Sequence, residues 1–83
     1  MRIHSAKELA LAVASRRKKL GLSQKEVGDL VGLLQKTLSA FETKPESSKL
    51  ETLFHILSAV QLEIQLIPKE ERGMMSTQWE QEW

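Results

Sequence analysis

Two glycines four positions apart, Gly28 and Gly32, interrupt the segment GLSQKEVGDLVGLLQKTLSAFE, residues 21–42. On one side Val27, Leu30 and Val31 recur at helical spacing; on the other Leu34, Leu38 and Phe41 fall at i, i+4 and i+7. Each stretch is long enough for only about two helical turns, so each must bury its apolar stripe against the other across a tight turn. Such a crossing requires a small residue where the helices touch and a residue tolerant of positive φ in the turn. Gly28 and Gly32 meet those two requirements, which makes a pair of crossed short helices the feature around which the chain must fold.

The flanking sequence predicts further helices. Ser-x-x-Glu occurs at Ser5 with Glu8, at Ser23 with Glu26 and at Ser48 with Glu51, each beside an apolar-periodic stretch. All three read as capping boxes and mark three helix starts. The first helix is expected from about Ala6 to Leu20, with Leu9, Val13 and Leu20 sharing a face with the alanines and Gly21 as the stop. The helix containing Leu34 ends near Glu42, ahead of Pro45. The last runs from about Lys49 to Val60 with a wide stripe of Leu50, Leu53, Phe54, Leu57 and Val60. After it the period changes: in LEIQLI, residues 62–67, Leu62, Ile64 and Leu66 alternate with other residues before Pro68, as in a short strand. Nothing else in the chain reads as its partner, so it is expected to pair with a second copy in a two-fold dimer. The competing possibility is a continuation of the helix or an irregular segment on the core.

The chain of 83 residues has no cysteine and only two histidines, His4 and His55, with no carboxylates converging on either in sequence. The parts for a metal site or a catalytic triad are missing, and no enzyme or cofactor is expected. No apolar run long enough for a membrane span occurs, and the basic cluster Arg16 to Lys19 stands at the wrong end for a signal peptide, so a soluble cytoplasmic protein is expected. A net charge of +1 conceals an asymmetry. Residues 1–45 carry nine Lys/Arg against four Asp/Glu, and residues 46–83 carry three against seven. A basic front half suits a polyanion; an acidic back half suits something else. Residues 1–68 are therefore read as one mainly α-helical domain with a dimerising strand, and 69–83 as a flexible acidic tail.

From Gly21 to Glu42 the chain resembles the Cro/C1/Xre-type helix-turn-helix DNA-binding domains, in its Gly-Leu-Ser-Gln opening, the small residue at 28, the turn glycine at 32 and the Phe-Glu closure. The likeness extends over about residues 6–60. It implies a lambda-repressor-like helical bundle whose third helix, Leu34 to Glu42, enters the DNA major groove. It also implies a buried bridge from Arg17 to Glu42, a pairing that suits a guanidinium fork. With Leu38 and Phe41 facing inward, Gln35, Lys36 and Ser39 turn outward. Gln35 is the expected base reader through an adenine edge, supported by Lys36 at guanine or phosphate and by Ser39. Ser23 and Gln24 open the second helix, where Gln24 matches the family's phosphate-clamping glutamine and a backbone N–H suits a phosphate oxygen. Lys25 and Lys44 are expected at phosphates. Leu34 departs from the family, which commonly has a polar capping residue there; it either meets a thymine methyl or packs inward.

Both tryptophans, Trp79 and Trp83, lie in the terminal WEQEW. Four residues apart, they can share a helical face on ordering and suit insertion into a partner's pocket; the alternatives are a tail folded back on the domain and plain disorder without function. A helix-turn-helix domain followed by one strand and a tail ending in Trp resembles the HipB-type antitoxins. Two reading helices in the expected dimer suit a palindromic double-stranded DNA operator, and the likeness implies that this homodimer represses its own operon. It also implies that the tail restrains a HipA-like serine/threonine kinase toxin. The alternative is a phage-like or housekeeping repressor without a toxin partner.

Overall fold

The computed structural model describes residues 2–69. Trp79 and Trp83, with the rest of the predicted tail beyond Lys69, lie outside the described residues. Serine hydroxyls open the first two helices. Ser5 accepts from the Glu8 amide at 3.1 Å and starts α1, Ala6–Lys19, while Ser23 accepts from the Glu26 amide at 3.0 Å and starts α2, Gln24–Val31. Only the second is a complete capping box, because Glu26 reaches back to accept from the Ser23 amide at 2.8 Å. Glu8 passes over Ser5 and accepts from the His4 amide at 2.6 Å instead. The third expected box does not form. Pro45, with φ already set for a tight turn, starts a single 3-10 turn, Pro45–Ser47, that ends at Ser48. The N-cap of the last helix thereby falls on Lys49, and α4 is Leu50–Ala59 with no side-chain cap. Between them α3 is Gln35–Thr43, one residue displaced at each end from the sequence expectation, with Leu34 as its N-cap.

Three of the helices, α1, α2 and α4, end in one hydrogen-bond pattern, in which a residue in the left-handed region lets the chain turn and satisfies the last carbonyls. At α1 the turn residue is Gly21 (φ 75°), the Leu22 amide bonding Arg17 O at 3.0 Å and the Gly21 amide bonding Lys18 O at 3.0 Å. Gly32 (φ 74°) does the same for α2, with the Leu33 amide on Gly28 O at 2.8 Å. After α4 the position is held by Gln61 (φ 59°), with Leu62 N–H on Leu57 O at 2.9 Å.

The helices enclose one core of Ala10, Val13, Val27, Leu38, Phe41, Leu53, Ile56, Leu57 and Val60. Leu9, Leu22, Leu33, Ala59 and Leu62 pack around it. α2 sits between α3 and α4, and α1 lies against α3 and the 3-10 turn. Arg16 ties the ends of the bundle together, its Nε donating to the Val60 carbonyl at 3.1 Å. The stripe expected on α4 is only partly used. Leu53, Ile56, Leu57 and Val60 are buried, but Leu50 and Phe54, on one flank of the stripe, remain 72% and 54% exposed. The apolar arc is wider than the packing within one chain can cover. Leu20, expected on the inner face of α1, is likewise exposed because it has become the C-cap.

Residues 62–67 form neither a helix nor a strand in the single chain, so the α4 helix does not continue through them. Leu62 is drawn onto the core, whereas Ile64 is exposed and Leu66 is 92% exposed. No helix among the described residues is long and apolar enough to cross a membrane.

Candidate nucleic-acid interface

The position of α3 is set from beneath. Leu38 and Phe41 are 0% and 1% exposed, and they turn the opposite side of a two-turn helix outward. Gln35 and Lys36 lie exposed on that side, as expected. Ser39, expected to be outward with them, is half-buried, because it lies nearer the boundary of the buried stripe; its carbonyl accepts from Thr43 Oγ1 at 2.9 Å. Ala40 and Thr43 are exposed on the same helix and were not singled out by the sequence reasoning. Their signal was available, since each follows Lys36 at one- and two-turn spacing.

The far end of α3 is held by a carboxylate. Arg17 of α1 grips Glu42 with both arms of its fork, Nε to Oε2 at 2.8 Å and Nη2 to Oε1 at 3.1 Å, while Nη1 donates to the Leu22 carbonyl at 2.9 Å. Gln24 Nε2 donates to the same Oε1 at 3.0 Å. Three helices therefore meet at one side chain, and both ionised partners are only about a tenth exposed (11% and 10%). Burial pushes the Glu42 carboxyl up, but the hydrogen bonds from Arg17 and Gln24, with the charges of Arg17 and Lys18, outweigh it and hold the group below its ordinary value. The bond to Glu42 correspondingly raises Arg17 against its own desolvation.

The start of α3 is held by backbone contact. A Cβ built on Gly28 would strike Leu33 O and lie 3.2 Å from Leu33 C, so α2 crosses directly over the peptide that leads into the helix. The need for a small residue at 28 is thus met at the Leu33–Leu34 link. Leu33 turns toward the core, and Leu34 turns away, 64% exposed, with no side-chain hydrogen bond capping α3. Inward packing of Leu34, one of the two outcomes left open by the sequence, does not occur.

The remaining predicted contacts lie around this surface. Ser23 and Lys25 are exposed at the opening of α2, and Lys44 is exposed just past α3. Gln24 is half-buried, its amide committed to Glu42 and its backbone in the first turn of α2. Lys25 pairs with Asp29 at 3.0 Å one turn along, an exposed pair of the kind worth only a few tenths of a kcal/mol. Among the described residues no group of His, Asp and Glu is arranged to hold a metal ion.

Residues 13–67 match the model of a helix-turn-helix family. The chain is 32% identical over 83 residues to Antitoxin HipB of Escherichia coli K12, covering 99% of this chain and 94% of that one. It is 35% identical over 65 residues to Antitoxin HipB of Escherichia coli O6:H1, covering 78% and 69%. Among solved structures, the fold superposes on a chain of the HipA-HipB-O2-O3 complex with a TM-score of 0.82 and 33% identity, over 84% of this chain and 99% of that one. A chain of the HipB-O4 20mer complex gives a TM-score of 0.81 with the same identity and 84% and 99% coverage.

Proposed function

The chain belongs to the helix-turn-helix family and, within it, to the HipB-type antitoxins, and from that premise we propose that it is a DNA-binding repressor of its own operon that also restrains a HipA-like kinase toxin. The observation that carries this reading is the disposition of α3: apolar side chains fully sequestered, Gln35 and Lys36 presented, and both helix ends immobilised by Gly28 and by the Arg17–Glu42–Gln24 junction. A reading helix gains from such rigidity, because the ordering cost is met before DNA arrives.

In this mechanism α3 enters the major groove. Gln35 presents its carboxamide to the N6 and N7 edge of an adenine, Lys36 reaches guanine O6 or N7 or a phosphate, and Ser39 contributes from the groove wall. Ser23 and the backbone amide of Gln24 seat a phosphate at the positive end of α2, and Lys25 and Lys44 add charge along the backbone. Lys25 exchanges Asp29 for phosphate on docking. A second copy joins through the segment 62–67, where Leu62 anchors the start on its own core and Ile64 and Leu66 are exposed, together with the exposed flank Leu50 and Phe54; two α3 helices then read a palindrome from one face of the duplex. Residues 1–68 form this DNA-binding unit. Residues 69–83 form the antitoxin element, in which Trp79 and Trp83 fill an apolar pocket on the kinase. The HipA-HipB-O2-O3 complex, in which a similar chain occurs together with HipA, supports a HipA-like partner. The reading places the protein in the cytoplasm with the nucleoid.

Two measurements test it. Gln35→Ala is expected to cost about 1–3 kcal/mol of affinity for the specific duplex while leaving non-specific binding unchanged. Specific binding indifferent to that substitution removes Gln35 as the reader. Deletion of residues 69–83 is expected to leave operator binding intact and abolish capture of the toxin; retained capture removes the tail from the toxin interface and places it on the folded domain.

A further inference from the structure

An exposed leucine at the entrance of a reading helix is costly in two ways. Ser, Thr, Asp or Asn at an N-cap stabilises a helix by accepting from a free backbone N–H of its first turn, and Leu34 forgoes that bond. It also leaves a large apolar side chain 64% exposed when its neighbour Leu33 finds the core. The backbone permits no easy escape, since the Gly28 crossing fixes the Leu33–Leu34 peptide, and the extended N-cap conformation (φ −79°, ψ 153°) directs the side chain off the start of α3. Its sequence neighbours are the exposed Gln35 and Lys36. Residues at the N-terminal end of a reading helix are those that come closest to base edges. In the major groove every base presents hydrogen-bonding groups, and the single apolar feature at a base-pair edge is the C5-methyl of thymine.

Building on the DNA-binding reading above, we infer that Leu34 is a specificity-determining residue that packs against a thymine methyl in each operator half-site. The contact favours thymine over cytosine and also over uracil, and the second distinction is one that hydrogen bonding cannot make, because uracil presents the same donors and acceptors as thymine. Burying one methyl-sized group against Leu34 corresponds to about a fourfold preference per half-site, and to roughly the square of that for a symmetric dimer.

The test uses the full chain and a library of randomised duplexes, from which the preferred sequence is enriched. Each thymine of that sequence is then replaced singly by deoxyuridine, which removes the methyl and leaves every hydrogen-bonding group in place. Wild-type binding is expected to weaken about fourfold at one thymine per half-site, whereas Leu34→Ala binds the thymine and uracil duplexes equally. Leu34→Ser is expected to lose the same discrimination while raising the thermal midpoint, because it restores a cap. Deoxyuridine without effect at every position overturns the inference while leaving the DNA reading intact, as does a loss that Leu34→Ala shares. A Leu34→Ser variant that melts lower than wild type overturns it too, by making Leu34 a packing residue. Failure to enrich any duplex removes the DNA-binding reading itself, and this inference with it.

Discussion

At the scale of single residues, Glu42 does the most. It receives two hydrogen bonds from Arg17 and one from Gln24, and these hold its carboxyl below the ordinary range against the opposing effect of burial. A carboxyl whose folded value is depressed contributes stability that is complete above its unfolded value, about 4.3, and is lost as the pH falls through the folded value. Acid unfolding followed by circular dichroism is therefore expected to steepen below about pH 4.3, and Glu42→Gln is expected to flatten that limb. At neutral pH the same substitution costs about 2 kcal/mol in urea unfolding, less than for a wholly buried pair because the carboxylate keeps some solvent contact. The bridge was legible because the resemblance supplied both positions. The engagement of Gln24 was not, since a glutamine facing phosphate and a glutamine bracing a carboxylate look alike in one dimension.

At the scale of elements, the two glycines carried the most information. Gly32 adopts the left-handed conformation the turn required, and Gly28 abuts the entry peptide of α3. Gly28→Ala is expected to destabilise the fold by about 1–3 kcal/mol, since the obstructing atoms are backbone and cannot rotate aside. Because the shift falls on α3, operator affinity should decline further than urea unfolding alone explains, and comparison of the two measurements checks this. Helix existence and order were readable from apolar period and caps. The boundaries at Ser48 were not, because a Ser-x-x-Glu pattern identifies two groups able to bond and says nothing of a preceding proline that winds the chain past them.

At the scale of the molecule, the single chain has more apolar surface than its own packing uses. Leu50 and Phe54 flank the buried stripe of α4, and Leu66 and Ile67 stand almost free. The alternation that suggested a strand at 62–67 is a pattern without a partner inside one chain, and pairing is a property of the assembly that one sequence cannot display. Leu66→Asp is expected to shift the protein from dimer to monomer in analytical ultracentrifugation, with weakened binding to a palindrome and little change for a half-site. A dimer unaffected by that charge relocates the interface.

The Glu42 junction clasps the end of α1, the opening of α2 and the close of α3 in one grip. An assembly fastened in this way has little freedom to swivel its reading element toward a different landing angle. New binding addresses must accordingly arise by exchanging the few side chains that protrude, one genetic letter recognised at a time, on a chassis whose alignment is inherited unchanged.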